Sequence, residues 1–215
     1  DDRVSRGLGD VYKRQFYALP ETLMTSKGTP TNVIHGFLSM LNKISTDYKT
    51  EQLIVTWDLP GKTFRNDIYT DYKANRSSAP DNFNVQVPLL HELLNTFNIP
   101  QVSKEGYEAD DVLGSLSTIL NKQNKKVLIV TGDRDTYQLI SNKTKILYTK
   151  RGISDVDLVD EKFFFDKFGI KTNQYVEYLA LKGDPSDNIP GLPGVGEKTA
   201  INLLKKYKDI NIKLK

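Results

Sequence analysis

From residue 16 onward, apolar and polar positions alternate with clear periods. Residues 31–44 place Val33, Ile34, Phe37, Leu38, Met40, Leu41 and Ile44 on one helical stripe. Residues 53–57 (Leu-Ile-Val-Thr-Trp) and 127–131 (Val-Leu-Ile-Val-Thr) are short continuous apolar runs, which predict strands buried on both faces. Residues 145–149 form a weaker third run, and helical periodicity over 87–97 and 109–120 lies between the strands. Strands alternating with helices predict a mainly parallel central sheet flanked by helices, an α/β fold. Helices are then predicted over 161–168 and 173–181, followed by a Gly/Pro-rich turn and a last helix over 197–207. Residues 1–15, DDRVSRGLGDVYKRQ, follow neither period and read as a non-native or disordered segment; no apolar core follows their basic residues, so they are not a signal peptide.

Composition narrows the chemistry. The 215 residues contain no cysteine and two histidines, His35 and His91, against 27 Asp and Glu. Thiolate metal sites and cysteine nucleophiles are excluded, and any metal would be held by carboxylate oxygens, which favour hard cations such as Mg²⁺ or Mn²⁺. No apolar run approaches the roughly 18 residues of a membrane span. The formal net charge of +3 is unevenly placed: residues 182–215 carry seven lysines against four acids, and the rest of the chain is balanced. A basic end suits contact with a polyanion, although a lysine-rich terminal helix is more often a solvated face.

The acids fall at element ends. Asp58 follows the first buried run, and Asp133 follows the second after one glycine, with Asp135 two residues on. In an open parallel sheet, that edge is where sites form. Glu108, Asp110 and Asp111 sit where the helix over 109–120 begins, and Asp184 and Asp187 share a loop. Any one of these acids is explained by a cap or turn. Eight acids in four groups exceed that need, and if they converge their repulsion calls for bound cations. Two Mg²⁺ ions about 4 Å apart would suit phosphodiester hydrolysis.

Two further segments suit a polynucleotide. Arg65, Tyr69, Tyr72, Lys73 and Arg76 recur at spacings that share one face if the segment is helical, interleaving charge for phosphates with rings for bases. A solvated surface helix with half-buried tyrosines fits the spacing equally well. In residues 191–200, Gly194 and Gly196 flank Val195 and allow a tight turn before the last helix. Backbone N–H groups there could meet a phosphate, and Lys198 in the first turn opposes the helix dipole unless an anion sits nearby. Thr199 follows it.

Several of these strings, in order, resemble the 5′-nuclease family, specifically the 5′→3′ exonuclease domain of bacterial DNA polymerases of the polymerase I class. They are Phe16-Tyr-Ala-Leu-Pro20, Gly61-Lys-Thr-Phe-Arg65, Asp71-Tyr-Lys-Ala-Asn-Arg76, Gly106-Tyr-Glu-Ala-Asp-Asp111, Thr131-Gly-Asp-Arg-Asp135, Gly183-Asp-Pro-Ser-Asp-Asn-Ile-Pro190 and the glycine-rich turn at 191–200. The resemblance implies a PIN-like catalytic domain over 16–181, with a helical arch at about 62–86 and a helix–hairpin–helix subdomain over 182–215. It also implies a two-metal nuclease cutting branched or flapped duplex DNA and RNA-primed DNA, working as a monomer within a longer polymerase in the bacterial cytoplasm. Its metal-ligand positions match Asp58, Glu108, Asp110, Asp111, Asp133, Asp135, Asp184 and Asp187, with Asp58 and Asp133 central to catalysis. Lys73 and Arg76 match arch residues that contact the scissile phosphate. Gly194, Val195, Gly196, Lys198 and Thr199 match the duplex-gripping element, which in the family often holds K⁺.

One departure stands out. The family opens with a buried strand ending in Asp-Gly, where this chain has Gly7-Leu8; Arg14 still matches, and Asp10 is the nearest acid to the missing one. Two alternatives therefore stand beside an active nuclease: a catalytically impaired module that binds DNA structures, and a metal-dependent ribonuclease.

Overall fold

The protein is described here by a computed structural model, over residues 19–20, 22–76, 80–151 and 155–207. The segment 1–15, with Arg14, and residues 16–18 of the string at 16–20 lie outside the described residues. Helix α1 (Asn32–Tyr48) buries Val33, Phe37, Met40 and Ile44, the predicted stripe, and ends at Lys49 in the left-handed region. Its start is tied to helix α4 (Gln86–Thr96): the Gln86 side chain accepts the Val33 N–H at 3.0 Å and donates to Asn32 Oδ1 at 2.9 Å. All three residues are buried, so this amide satisfies two polar groups that burial would otherwise leave costly. Between these helices lie strand β1 (Val55–Thr56) and the short helices α2 (Phe64–Ile68) and α3 (Asp81–Asn84).

Strand β1 pairs in parallel with β2 (Gln101–Val102). Only two residues of the predicted run enter the ladder, although Val55, Thr56 and Trp57 are all buried. Helix α5 (Ala109–Lys122) leads to β3 (Val127–Thr131), which pairs in parallel with β4 (Thr144–Arg151). Strand β5 (Asp155–Val159), which the apolar pattern did not predict, adds to β4 in antiparallel fashion. Helix α6 (Glu161–Phe168) comes next, then α7 (Tyr175–Lys182), a two-stranded ribbon of β6 (Gly183–Asp184) and β7 (Ile189–Pro190), and α8 (Glu197–Tyr207).

Two apolar clusters hold these layers. One joins α1 and α4 to β1 and to Leu147 of β4; the other gathers Ile129 and Ile146 with Tyr137, Phe164, Phe168, Tyr175, Tyr178 and Leu204. Strands β3 and β4 contribute to both, and Asp133 and Asp135 follow the carboxyl end of β3. Among the described residues, no helix is long and apolar enough to cross a membrane.

Candidate functional site

Each group of acids is delivered by the end of an element. Asp58 follows β1, and its Oδ1 accepts the Ala109 N–H at 2.7 Å, tying that strand to the first turn of α5. Asp133 follows β3 and is 1% exposed; its Oδ1 accepts the Asp135 N–H at 2.7 Å, while its own N–H donates to Thr131 Oγ1. These bonds open a 3₁₀ helix over Arg134–Leu139. Asp184 accepts from the N–H and hydroxyl of Ser186 at 2.9 and 2.6 Å, and Asp187 is fully buried one 3₁₀ turn later.

The start of α5 divides its acids by task. Asp111 Oδ2 accepts the Glu108 N–H at 2.9 Å, so it closes the helix end. The same carboxylate takes a bidentate pair from Arg65 at 2.7 and 2.8 Å. Burial pushes the Asp111 carboxyl up, but the Arg65 guanidinium, the Glu108 N–H and the nearby Lys73 outweigh it and hold the group below the ordinary value. Glu108, the other half of that capping box, also accepts from the Tyr72 hydroxyl at 3.1 Å and from Lys73.

The segment carrying these cations is not the single helix its spacing suggested. Helix α2 lasts five residues and ends at Tyr69 in extended backbone, and the chain then turns through 70–75 with Lys73 left-handed at φ 58°. Arg65, Lys73 and Arg76 converge because of the turn, and they pair with Asp111, Glu108 and Asp187 respectively. Tyr69 and Tyr72 both lie on a cavity wall; Tyr72 is the more deeply buried, at 6% exposed, with the Lys73 ammonium 4.9 Å from its ring centre.

Arg65, Tyr69, Glu108, Asp110, Asp111 and Asp135 line one cavity of about 1010 Å³. Asp133 is bonded to Asp135, Asp58 to the backbone beside Glu108, and Asp187 reaches the same place through Arg76 and the Lys73 N–H. Among the described residues, no three acids stand close enough to share one metal ion. After α7, residues 183–196 form the β6–β7 ribbon and the first part of the glycine-rich turn expected over 191–200, up to the start of α8. Gly183 and Gly191 face each other so closely that a Cβ on either would enter the other's backbone, and Gly194 turns the chain at φ 76°. Val195 packs on the second core, while Gly196, Lys198 and Thr199 are exposed at the start of α8.

Neither histidine joins the site: His35 is exposed, and His91 packs on Trp57 with ring centres 4.0 Å apart. Sequence reasoning passed over Asn75 and Asn188, whose side chains bridge the 71–76 turn and the loop carrying Asp187. Both stand within the family-like strings 71–76 and 183–190, which could have drawn attention to them.

The family described as 5′-3′ exonuclease, N-terminal resolvase-like domain, matches residues 9–169, and the 5′-3′ exonuclease C-terminal SAM fold matches 170–214. A 5′-3′ exonuclease of Aquifex aeolicus is 43% identical over 209 residues, 97% of this chain and 70% of that protein. The DNA polymerase I of Mycobacterium bovis is 42% identical over 195 residues, 90% of this chain. The chain thus spans about a fifth of that polymerase, 22% of its length. Among solved structures, bacteriophage T5 5′-exonuclease with bound zinc superposes with a TM-score of 0.72 at 20% identity, covering 82% of this chain and 68% of that one. That overlap shows the shared mixed α/β fold. With both family segments matched in order over nearly the whole chain, this protein belongs to the 5′-3′ exonuclease family.

Proposed function

We propose that the chain is a divalent-metal-dependent 5′-nuclease, the N-terminal domain of a DNA polymerase I, that hydrolyses phosphodiesters of flapped DNA and RNA-primed DNA with a pair of cations. The observation that carries this reading is that Glu108, Asp110, Asp111 and Asp135 line one cavity with Arg65, while Lys73 and Arg76 from the following turn pair with Glu108 and Asp187. The relatives are named for 5′-3′ exonuclease and polymerase I, and T5 5′-exonuclease binds divalent metal ions.

The donor set fits hard cations in its chemistry, being carboxylate oxygen throughout. Glu108, Asp110, Asp111 and Asp135 already share the cavity, and Asp58, Asp133, Asp184 and Asp187 adjoin it; these eight would hold the metals. In the structure, protein cations take up part of their charge, with Arg65, Lys73 and Arg76 paired to three of the acids. A bound divalent ion would supply Lewis acidity and a water of lowered pKa. The chain's own task is to place the strand and hold its charge. Lys73 and Arg76 can exchange their carboxylate partners for a phosphate and offset the charge that grows on it in the transition state. Exposed Lys198 and the backbone around Gly194–Gly196 are suited to gripping a duplex through its phosphates, with K⁺ as a candidate ion there.

The test is Asp133→Asn. Cleavage of a flapped duplex in Mg²⁺ should fall by at least about 100-fold, with the Kd for the same DNA in Ca²⁺ nearly unchanged. Undiminished cleavage would overturn the metal assignment. A wild-type chain that binds the flapped duplex but does not cut it in Mg²⁺ or Mn²⁺ would instead favour a module that only recognises DNA.

A further inference from the structure

We infer that Asn188 is a positioning residue for Lys73 and Arg76, clasping the turn that carries them onto the Asp187 loop; the inference rests on the nuclease reading above. Besides the Arg76–Asp187 ion pair, three hydrogen bonds join the two segments. The Asn188 Nδ2 donates to the Asp71 carbonyl at 2.9 Å, the Asn75 Nδ2 donates to the Pro185 carbonyl at 3.2 Å, and the Lys73 N–H donates to the Asp187 carbonyl at 3.0 Å. The partners lie 110 to 117 residues apart, and each segment supplies one side-chain amide that donates to the other's backbone.

The backbone at both ends of the clasp is unusual. Lys73 and Asn188 are non-glycine residues in the left-handed region, at φ 58° and 60°. At Asn188 a glycine would meet the conformational demand as well. The asparagine adds a donor, and that donor is spent on the arch turn. At Lys73 the left-handed backbone sends the N–H to Asp187 while the side chain reaches Glu108. Sequence-local forces do not favour that geometry for lysine, so a partner outside the turn must hold it.

The clasp also differs in kind from the ion pairs around it. Lys73–Glu108 and Arg76–Asp187 are contacts that a phosphate would displace. The three clasp bonds all end on backbone carbonyls and need not break when the cations change partners. The Asn66 Nδ2 bond to the Tyr72 carbonyl, at 3.3 Å, is a longer tie to the same turn from the helix before it. The clasp therefore keeps the Lys73 and Arg76 stems aimed at the acids after their side chains let go. Pre-organisation of that kind acts on kcat more than on substrate affinity.

Asn188→Gly separates the amide from the backbone, since glycine keeps the positive φ. On a flapped duplex in Mg²⁺ the variant should lose about tenfold in kcat, with KM within about twofold and an unchanged Tm. Amide hydrogen exchange at Lys73 should speed up in the same protein. Asn188→Asp, which faces the Asp71 carbonyl with an acceptor, should lose at least as much, and adding Asn75→Ala to Asn188→Gly should cost less than the two single losses multiplied. Wild-type kcat together with unchanged Lys73 exchange in Asn188→Gly would overturn the clasp and leave the nuclease reading intact. A parallel rise in KM alone would also overturn it, since it would place Asn188 in substrate binding. If the wild-type chain cuts no DNA, the nuclease reading has failed, and faster Lys73 exchange then judges the clasp by itself.

Discussion

Asp111 and Asp160 both close the start of a helix, yet the surroundings give each a different second role. At Asp111 the capping carboxylate also carries the paired Arg65, whose guanidinium the carboxylate's hydrogen bonds hold above its ordinary value. At Asp160 the task is structural: its Oδ1 accepts the Phe163 N–H at 3.0 Å as the cap of α6, with Lys145 at 3.3 Å from Oδ2. The Phe163 N–H holds the Asp160 carboxyl below its ordinary value of 3.8, against a small opposing effect of burial and with help from Lys145. Asp160→Ala should therefore cost about 1 kcal/mol near neutral pH, the usual worth of an acidic cap. Because the folded-state pKa is the lower one, this benefit is complete above the unfolded value and disappears as pH falls through the folded one. Urea unfolding of the two proteins should show a gap near pH 7 that closes below about pH 3.8.

At the scale of elements, legibility followed the source of the order. Strongly periodic stretches were readable: α6 and α8 span the predicted residues, and α5 runs only to Lys122, two residues beyond its predicted end. Strand β5 was missed because Asp155 and Asp157 interrupt its apolar residues, and it is held by pairing to β4 rather than by its own pattern. The arch failed in the opposite way. Spacings of three and four between Arg65 and Arg76 mimic a helix, but Tyr69 leaves it, and long-range bonds to the Asp187 loop fix the turn through 70–75. Placing the acids at element ends could be read from sequence, because strand ends and helix starts are local features; which cation meets which acid could not. The hairpin after α7 gives a sharp element-level test. Gly183 and Gly194 both have positive φ, 75° and 76°, but Gly183, at ψ 178°, sits in a region open essentially to glycine alone and against the Gly191 backbone, whereas Gly194 faces open space. Gly194→Ala should cost about 1 kcal/mol, the left-handed penalty alone. Gly183→Ala adds a backbone collision and should cost more than about 3 kcal/mol. Equal losses in thermal unfolding would show that the close approach of β6 to β7 carries no weight.

Across the whole molecule, the second core decides whether the C-terminal residues form a unit of their own. Leu204 and Ala200 of α8 are 2% and 0% exposed and share a cluster with Ile129 of β3, Tyr137 and the rings of α6 and α7. Those rings pack edge-on and tilted around Tyr137, with centres 5.8 to 6.3 Å away. Burial drives the hydroxyls of Tyr137 and Tyr175 well above the ordinary phenol range, as expected in a water-free interior. The 3₁₀ helix that holds Tyr137 also holds Asp135, so the packing that seats α8 also fixes one wall of the acidic cavity. An α8 that folded as a separate module would melt alone and leave the cavity intact. The shared core implies a single cooperative transition instead. Leu204→Ala should remove about 3 kcal/mol from the entire chain. Far-ultraviolet and near-ultraviolet circular dichroism should then move together to a lower denaturant midpoint with the slope unchanged. A biphasic curve, with the aromatic signal holding its wild-type midpoint while helix is lost, would show that α8 and the acidic cavity do not share a core.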